Sequence, residues 1–332
     1  MTDLISTAFL GVLAAGFFVG IIVGLTGMGG GALMTPALLF LGVGDAATVV
    51  TADLTAAAIY KTGGAITHKR HGSPNLKLAG WLALGSVPMA LIGPYLLRWI
   101  VGSNTDSLNS ALKLCIGFAL LLAAATYAAR LWVNLRRVRR NSHVLDEDPQ
   151  VRPIPTILVG MLGGLLVGIT SVGSGSVIMI ALLMLYPGLA AVRLVGTDLV
   201  QAVPLVLAAA ISNITLTGLD WSILIPLVIG SFPGTIIGSR IAPRVPQSMI
   251  RRGIVVVLVI SGVALLGKAG WTPLLDSRGE FNPMLAAYAG LIMIVIVPIA
   301  WGLIRKTEGL PMFGAPFVSQ LDQNLAGDRS PD

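Results

Sequence analysis

Apolar residues gather into eleven runs, at approximately 5–27, 30–42, 46–67, 77–100, 107–134, 154–172, 174–187, 190–214, 220–243, 248–268 and 283–304. Nine of these reach the roughly 18 residues that a helix needs to cross a bilayer. The two short runs, 30–42 and 174–187, each follow a glycine-rich break. Each reads as the second arm of a helical hairpin or discontinuous helix. The pattern predicts an all-α polytopic membrane protein. Its first break, Thr26-Gly27-Met28-Gly29-Gly30-Gly31, lies within an apolar stretch where water is scarce and backbone groups need internal partners. Glycine in such number does not sustain an unbroken helix. Two readings stand side by side: a tight hairpin whose glycines serve helix packing, or a helix break whose N–H groups form an anion site at mid-membrane depth.

The pattern occurs twice. Gly16, Gly20, Gly24, Gly29 and Gly31 match Gly160, Gly164, Gly168, Gly173 and Gly175 at an offset of 144 residues. One residue further in register, Asp53-Leu54 matches Asp198-Leu199, and Gly85-Ser86-Val87-Pro88 matches Gly230-Ser231-Phe232-Pro233. So many coincidences in one frame indicate a duplicated unit with an extra helix at its end. The expected division is a first membrane repeat at 1–134, a charged cytoplasmic linker at 135–153, a second repeat at 154–269, an extra transmembrane helix at 270–306 and a polar tail at 307–332.

Composition agrees with a membrane protein: 55% of residues are hydrophobic and only 11% charged, against about a quarter charged in soluble domains. The formal charge of +7 suggests nucleic acid until the basic residues are placed. Seventeen of the 22 lysines and arginines fall at one set of span ends, four (Arg98, Lys113, Lys268, Arg278) at the other, and Arg329 in the tail. This asymmetry marks the cytoplasmic face and makes nucleic acid a poor candidate partner. It puts the N-terminus outside and the C-terminus in the cytoplasm. Span 77–100 then runs inside to outside and its repeat partner 220–243 the reverse, so the two units are expected to be inverted. The first run is read as a retained span, since no positive n-region or cleavage site marks a signal peptide. The single cysteine, Cys115, excludes an internal disulfide, and the three histidines lack metal-ligand spacing. No cofactor and no metal site are expected.

The second break, Thr170-Ser171-Val172-Gly173-Ser174-Gly175-Ser176, carries hydroxyls where the first carries glycines. Ser174 and Ser176 are good N-cap residues for the helix that follows. The functional reading is that N–H groups and hydroxyls of both breaks converge on an oxyanion. Candidate substrate contacts are therefore Thr26, Gly27, Met28, Gly29, Gly30, Gly31, Thr170, Ser171, Gly173, Ser174, Gly175 and Ser176. Ser86 and Ser231, each two residues before a helix proline, are added as cavity-lining residues. Asp53 and Asp198 are acids in apolar spans, where charge is costly and usually faces a cavity or a proton path. They are assigned to gating or proton coupling, or else to bonding with the amides of the nearby breaks, with Thr51, Thr197 and Gln201 close by. Lys61 has an apolar repeat partner, Val206, and lies near enough to the cytoplasmic end to read as a snorkelling anchor. The Gly-x-x-x-Gly ladders at 16/20/24 and 160/164/168 read as close-packing faces. A different class of function, an intramembrane aspartyl hydrolase, rests on Gly42-Val43-Gly44-Asp45 and the paired aspartates.

Val-Gly-Leu-Thr-Gly-Met-Gly-Gly-Gly with the later Thr-Ala-Asp, echoed as Val-Gly-Ile-Thr-Ser-Val-Gly-Ser-Gly with Gly-Thr-Asp, resembles the sulfite exporter TauE/SafE family over about residues 10–268. The resemblance implies a secondary transporter in a bacterial inner membrane that moves sulfite or organosulfonates, with the two breaks carrying the substrate site. Its partners would be a small anionic substrate and the lipid bilayer; a homo-oligomer is left open.

Overall fold

The structure, a computed structural model, describes residues 2–26, 30–70, 74–139, 150–173, 175–186, 188–189, 191–241, 247–275 and 280–307. Eleven α-helices account for nearly all of them: α1 (Thr2–Thr26), α2 (Gly31–Leu41), α3 (Ala46–Arg70), α4 (Leu76–Val101), α5 (Thr105–Arg139), α6 (Pro153–Thr170), α7 (Val177–Leu185), α8 (Ala191–Thr217), α9 (Trp221–Ile241), α10 (Gln247–Lys268) and α11 (Pro283–Thr307). No strand forms among the described residues, only an isolated bridge between Leu275 and Phe281.

Seven helices, α1, α4, α5, α6, α8, α9 and α11, contain a stretch long and apolar enough to cross a membrane. Two of the nine expected spans, α3 and α10, fall short of that measure. The side chains described cover α3 only over 46–62 and α10 over Gly253–Lys268, both apolar but shorter than a full crossing. The helix α5 continues to Arg139, five residues into the stretch read as linker. Positions 140–149 and the tail beyond 307 lie outside the described residues. Large apolar side chains face outward around the bundle, with Trp99 82% exposed and Phe18 65%. A surface of this kind suits lipid rather than water.

Helix pairing exchanges the two repeats. The first helix of the first unit, α1, packs along α9 of the second, and α6 packs along α4 of the first. A Cβ at Gly16, Gly20 or Gly24 would strike the backbone carbonyls of Leu227, Ser231 and Thr235 in turn. A Cβ at Gly160, Gly164 or Gly168 would strike those of Leu82, Ser86 and Ala90, the repeat-related set. Contacts advance by four residues on both helices, so both pairs are parallel. Glycines on the partner helices reciprocate, Gly230 against Leu13 and Gly85 against Ile157. The ladders thus let backbones touch, the packing role expected of small residues in membranes.

Repeat-partner helices meet the other way round. Thr51 near the start of α3 bonds Thr217 at the end of α8, so this pair is antiparallel. A Cβ at Gly117 of α5 would lie 3.1 Å from the Gly262 carbonyl, and one at Gly262 3.1 Å from the Gly117 carbonyl. These are positions related by the 145-residue offset, facing each other. The arrangement is consistent with an inverted duplication.

The packing makes a prediction about thermal unfolding in detergent. Gly164→Ala puts a methyl against the Ser86 backbone, which cannot rotate away, and is expected to lower stability by about 1–3 kcal/mol. Gly80→Ala, with open space around it, is expected to leave the melting temperature unchanged or raise it slightly. Equal melting temperatures for the two variants would refute the close-packing role.

Candidate functional site

The two breaks touch. A Cβ on Gly31, the first residue of α2, would collide with the carbonyl and side-chain oxygens of Ser171 in the second break. Ser171 follows the last residue of α6 and adopts a left-handed backbone, φ 60°. It is the one non-glycine residue with positive φ among those described, a conformation side chains occupy only at some cost. The next turn is completed by Gly173, φ 130°. Its carbonyl accepts from the amides of Ser176 (3.4 Å), Val177 (3.1 Å) and Ile178 (3.4 Å). The start of α7 therefore offers fewer free N–H groups than an open helix end would. Ser176 occupies the N-cap position but makes no capping bond, because its backbone is αR rather than extended. Its Oγ is buried without a partner among the described residues.

Other candidates divide by what their polar atoms already do. Thr26 and Thr170, repeat partners, donate to the carbonyls four residues back, Ile22 at 2.7 Å and Leu166 at 2.6 Å. Gly30 N–H donates to Tyr60 Oη at 3.1 Å, which ties the first break to α3. Gly175 is half-buried at the start of α7. Ser86 and Ser231 are buried where the glycine ladders cross, beneath Gly164 and Gly20. Gly27, Met28, Gly29 and Ser174 lie outside the described residues.

Both aspartates are buried. Thr35 Oγ1 on α2 donates to Asp53 Oδ2 at 2.5 Å, and Ser171 lies beside the same carboxylate. Asp53 Oδ1 has no partner among the described residues. So the acid on α3 is held by a hydroxyl from the helix after one break and flanked by a serine of the other. Lys61, eight residues further along α3, is 6% exposed and lies within electrostatic reach of both Asp198 and Asp53. That corrects its reading as a surface anchor. Reach to the helix end, the basis of that reading, says nothing of which neighbours close over a side chain.

A line of buried polar groups follows the α3–α8 contact. At one end the Thr51 and Thr217 hydroxyls bond at 2.8 Å. Asp53, Lys61 and Asp198 follow. At the other end the Asn75 amide donates to Thr197 Oγ1 at 2.9 Å. Gln201, one helical turn beyond Asp198, is 1% exposed with neither amide atom partnered among the described residues. Near the Thr51–Thr217 end a small cavity of about 30 Å³ is lined by residues that include Arg98, Thr217, Ile169 and Asn213, room enough for water. Asn213 Nδ2 donates to the Gly168 carbonyl at 2.9 Å, just before the second break.

Thr35, Tyr60 and the burial of Lys61 escaped the sequence reading. Thr35 stands one turn after Gly31, a spacing that puts it on the same face of α2 as the break. No comparable signal marks Tyr60. Asp45, the basis of the hydrolase reading, is exposed and accepts the Thr48 amide at 2.9 Å, which makes it a helix cap.

Comparisons with known proteins agree with this architecture. The family described as sulfite exporter TauE/SafE matches residues 12–265. A probable membrane transporter, YjnA of Bacillus subtilis (strain 168), is 36% identical over 255 residues, 77% of this chain and 98% of that protein. A second from the same organism, YdhB, also called a probable membrane transporter, is 25% identical over 254 residues, 75% of this chain and 97% of its own length. No solved structure matches the chain. With the match spanning both repeats and both breaks, the chain belongs to the sulfite exporter TauE/SafE family and is a multi-pass membrane transporter rather than an enzyme.

Proposed function

We propose that this transporter moves small sulfur-containing anions, sulfite or organosulfonates, by alternating access about a central site between the two helix breaks. The observation that carries the reading is the contact of Gly31 with Ser171. Elements 140 residues apart in sequence, each interrupting a membrane helix, come together beside a buried carboxylate. Non-helical backbone at such depth is tolerated where it is buried in protein or lines a cavity. Transporters with repeated units use it to hold ions and substrates. The family description, sulfite exporter, favours the sulfur oxyanion class.

In this reading the substrate contacts are the break residues Thr26 to Gly31 and Thr170 to Ser176, with Ser86 and Ser231 at the helix crossings behind them. Ser171 and Ser176 contribute hydroxyls, while the Thr26 and Thr170 hydroxyls brace their helix ends. Asp53 and Asp198 gate the site and couple it to protons: a carboxylate that takes up a proton ceases to repel an arriving anion. The cavity near Arg98 lies on the approach from the outer side, with the N-terminus outside and the C-terminus in the cytoplasm of a bacterium. The charge bias along the sequence supports that orientation.

Flux in proteoliposomes made with the full chain tests the function. The wild type is expected to move sulfite or an organosulfonate. Asp53→Asn and Asp198→Asn are expected to flatten the pH dependence of that flux. Absence of any such flux in the wild type removes the substrate assignment. Unchanged pH profiles in both variants remove the proton role. A side chain at the contact itself offers a second measurement. Gly31→Val must push Ser171 away, at a cost of about 1–3 kcal/mol, and is expected to reduce flux about tenfold or more. Wild-type flux in that variant would show that the breaks need not meet.

A further inference from the structure

We propose that Lys61 and Gln201 are the anion ligands of the central site, the ammonium supplying charge and the amide fixing one oxygen, with Asp53 and Asp198 as counter-ions of Lys61 when no anion is bound. This rests on the transport reading above and adds to it the two residues that recognise the substrate.

The first argument is charge. Lys61 is the one buried lysine or arginine among the residues whose side chains are described. It stands nine residues, about 13 Å along the axis, from the end of α3. A cation at such depth is costly unless it is paired. Two carboxylates lie within electrostatic reach of it, one more than neutrality requires. An anion entering among neutral hydroxyls and amides alone would meet net negative charge. Lys61 gives it an attractive partner, and the carboxylates keep that attraction weak enough for release. An ammonium offers three donors, so it can hold a carboxylate and an oxyanion together.

The second argument is the amide. Gln201 buries both polar atoms without a partner among the described residues. An unsatisfied buried donor or acceptor bears the full cost of its lost hydration, and a ligand removes that penalty. Gln201 and Asp198 are three residues apart on α8 and share a helix face, which sets the amide beside the acid that Lys61 reaches.

The third argument is the duplication. The positions related to Lys61 and Gln201 are Val206 and Ala56, each 1% exposed. Packing is satisfied there by apolar side chains in the other half. The fold therefore has no need of a lysine or a glutamine at these places, and their chemistry serves something other than the core.

The experiment follows thermal unfolding of the full chain in detergent as sodium sulfite is raised, against sodium chloride at equal ionic strength. Ligand binding to the native state raises the midpoint in a concentration-dependent way. The wild type is expected to be stabilised by sulfite. Gln201→Leu is expected to need about tenfold more sulfite or greater, the effect of losing one hydrogen bond to a charged group. Asp198→Asn alone is expected to bind at least as tightly as the wild type, because it leaves Lys61 less neutralised. Lys61→Met combined with Asp198→Asn removes one charge of each sign and is expected to lose the response. If the double variant responds like the wild type, Lys61 is only a counter-ion and the proposal is wrong. If Gln201→Leu responds like the wild type, the amide is no ligand. Gln201→Leu changes no charge and decides the matter should the double variant fail to fold. A wild type that sulfite does not stabilise overturns the proposal outright. Stabilisation without flux in proteoliposomes keeps the ligand pair and discards the transport reading.

Discussion

Close approach of helix backbones is the constraint on which this structure depends. In a bilayer, apolar side chains gain little by leaving lipid for one another, so helices associate through packing and polar contacts. Here the packing is built across the duplication: α1 lies on α9 and α6 on α4, glycine against carbonyl. Neither unit assembles its own first and fourth helices. The halves are thus mutually dependent, and the breaks that follow α1 and α6 are carried to the same place. The meeting of Gly31 and Ser171 is a consequence of the ladders, not an independent feature.

Once those helices are fixed, electrostatics governs the interior. Charges at this depth persist only in company, and Asp53, Lys61 and Asp198 keep one another's. The Thr35 hydroxyl and the Ser171 side chain tie that company to both breaks. On the proposed function, a change of charge among the three, by a proton or an anion, acts on the contact between the halves. Coupling of this sort would serve the alternating access proposed above.

The helices were legible in the sequence because their signal is local. Runs of apolar residues and glycine or proline punctuation place the described helix ends within a few residues of expectation, α5 being the main exception. The pairing of the two breaks was also foreseeable, since the 144-residue echo relates them. What escaped was the rotation of each helix about its own axis. Whether Lys61 points to lipid, to a headgroup or to Asp198 depends on α8, 130 residues later, and no run of neighbours encodes that. Ser176 shows the same limit at smaller scale. Its residue type suits a cap, but the glycine turn before it sets a backbone geometry that forbids the bond.

Lys61 and its counterpart Val206 also bear on the history of the chain. Two separate copies of one unit, assembled about a twofold axis, would carry the lysine twice or not at all, so the central charges would either balance or be uniformly acidic. A single polypeptide escapes that restriction, because its halves can diverge position by position. One lysine between two aspartates is an odd number of cations at a symmetric centre. A single chain makes such a centre attainable, with two faces that are chemically unequal.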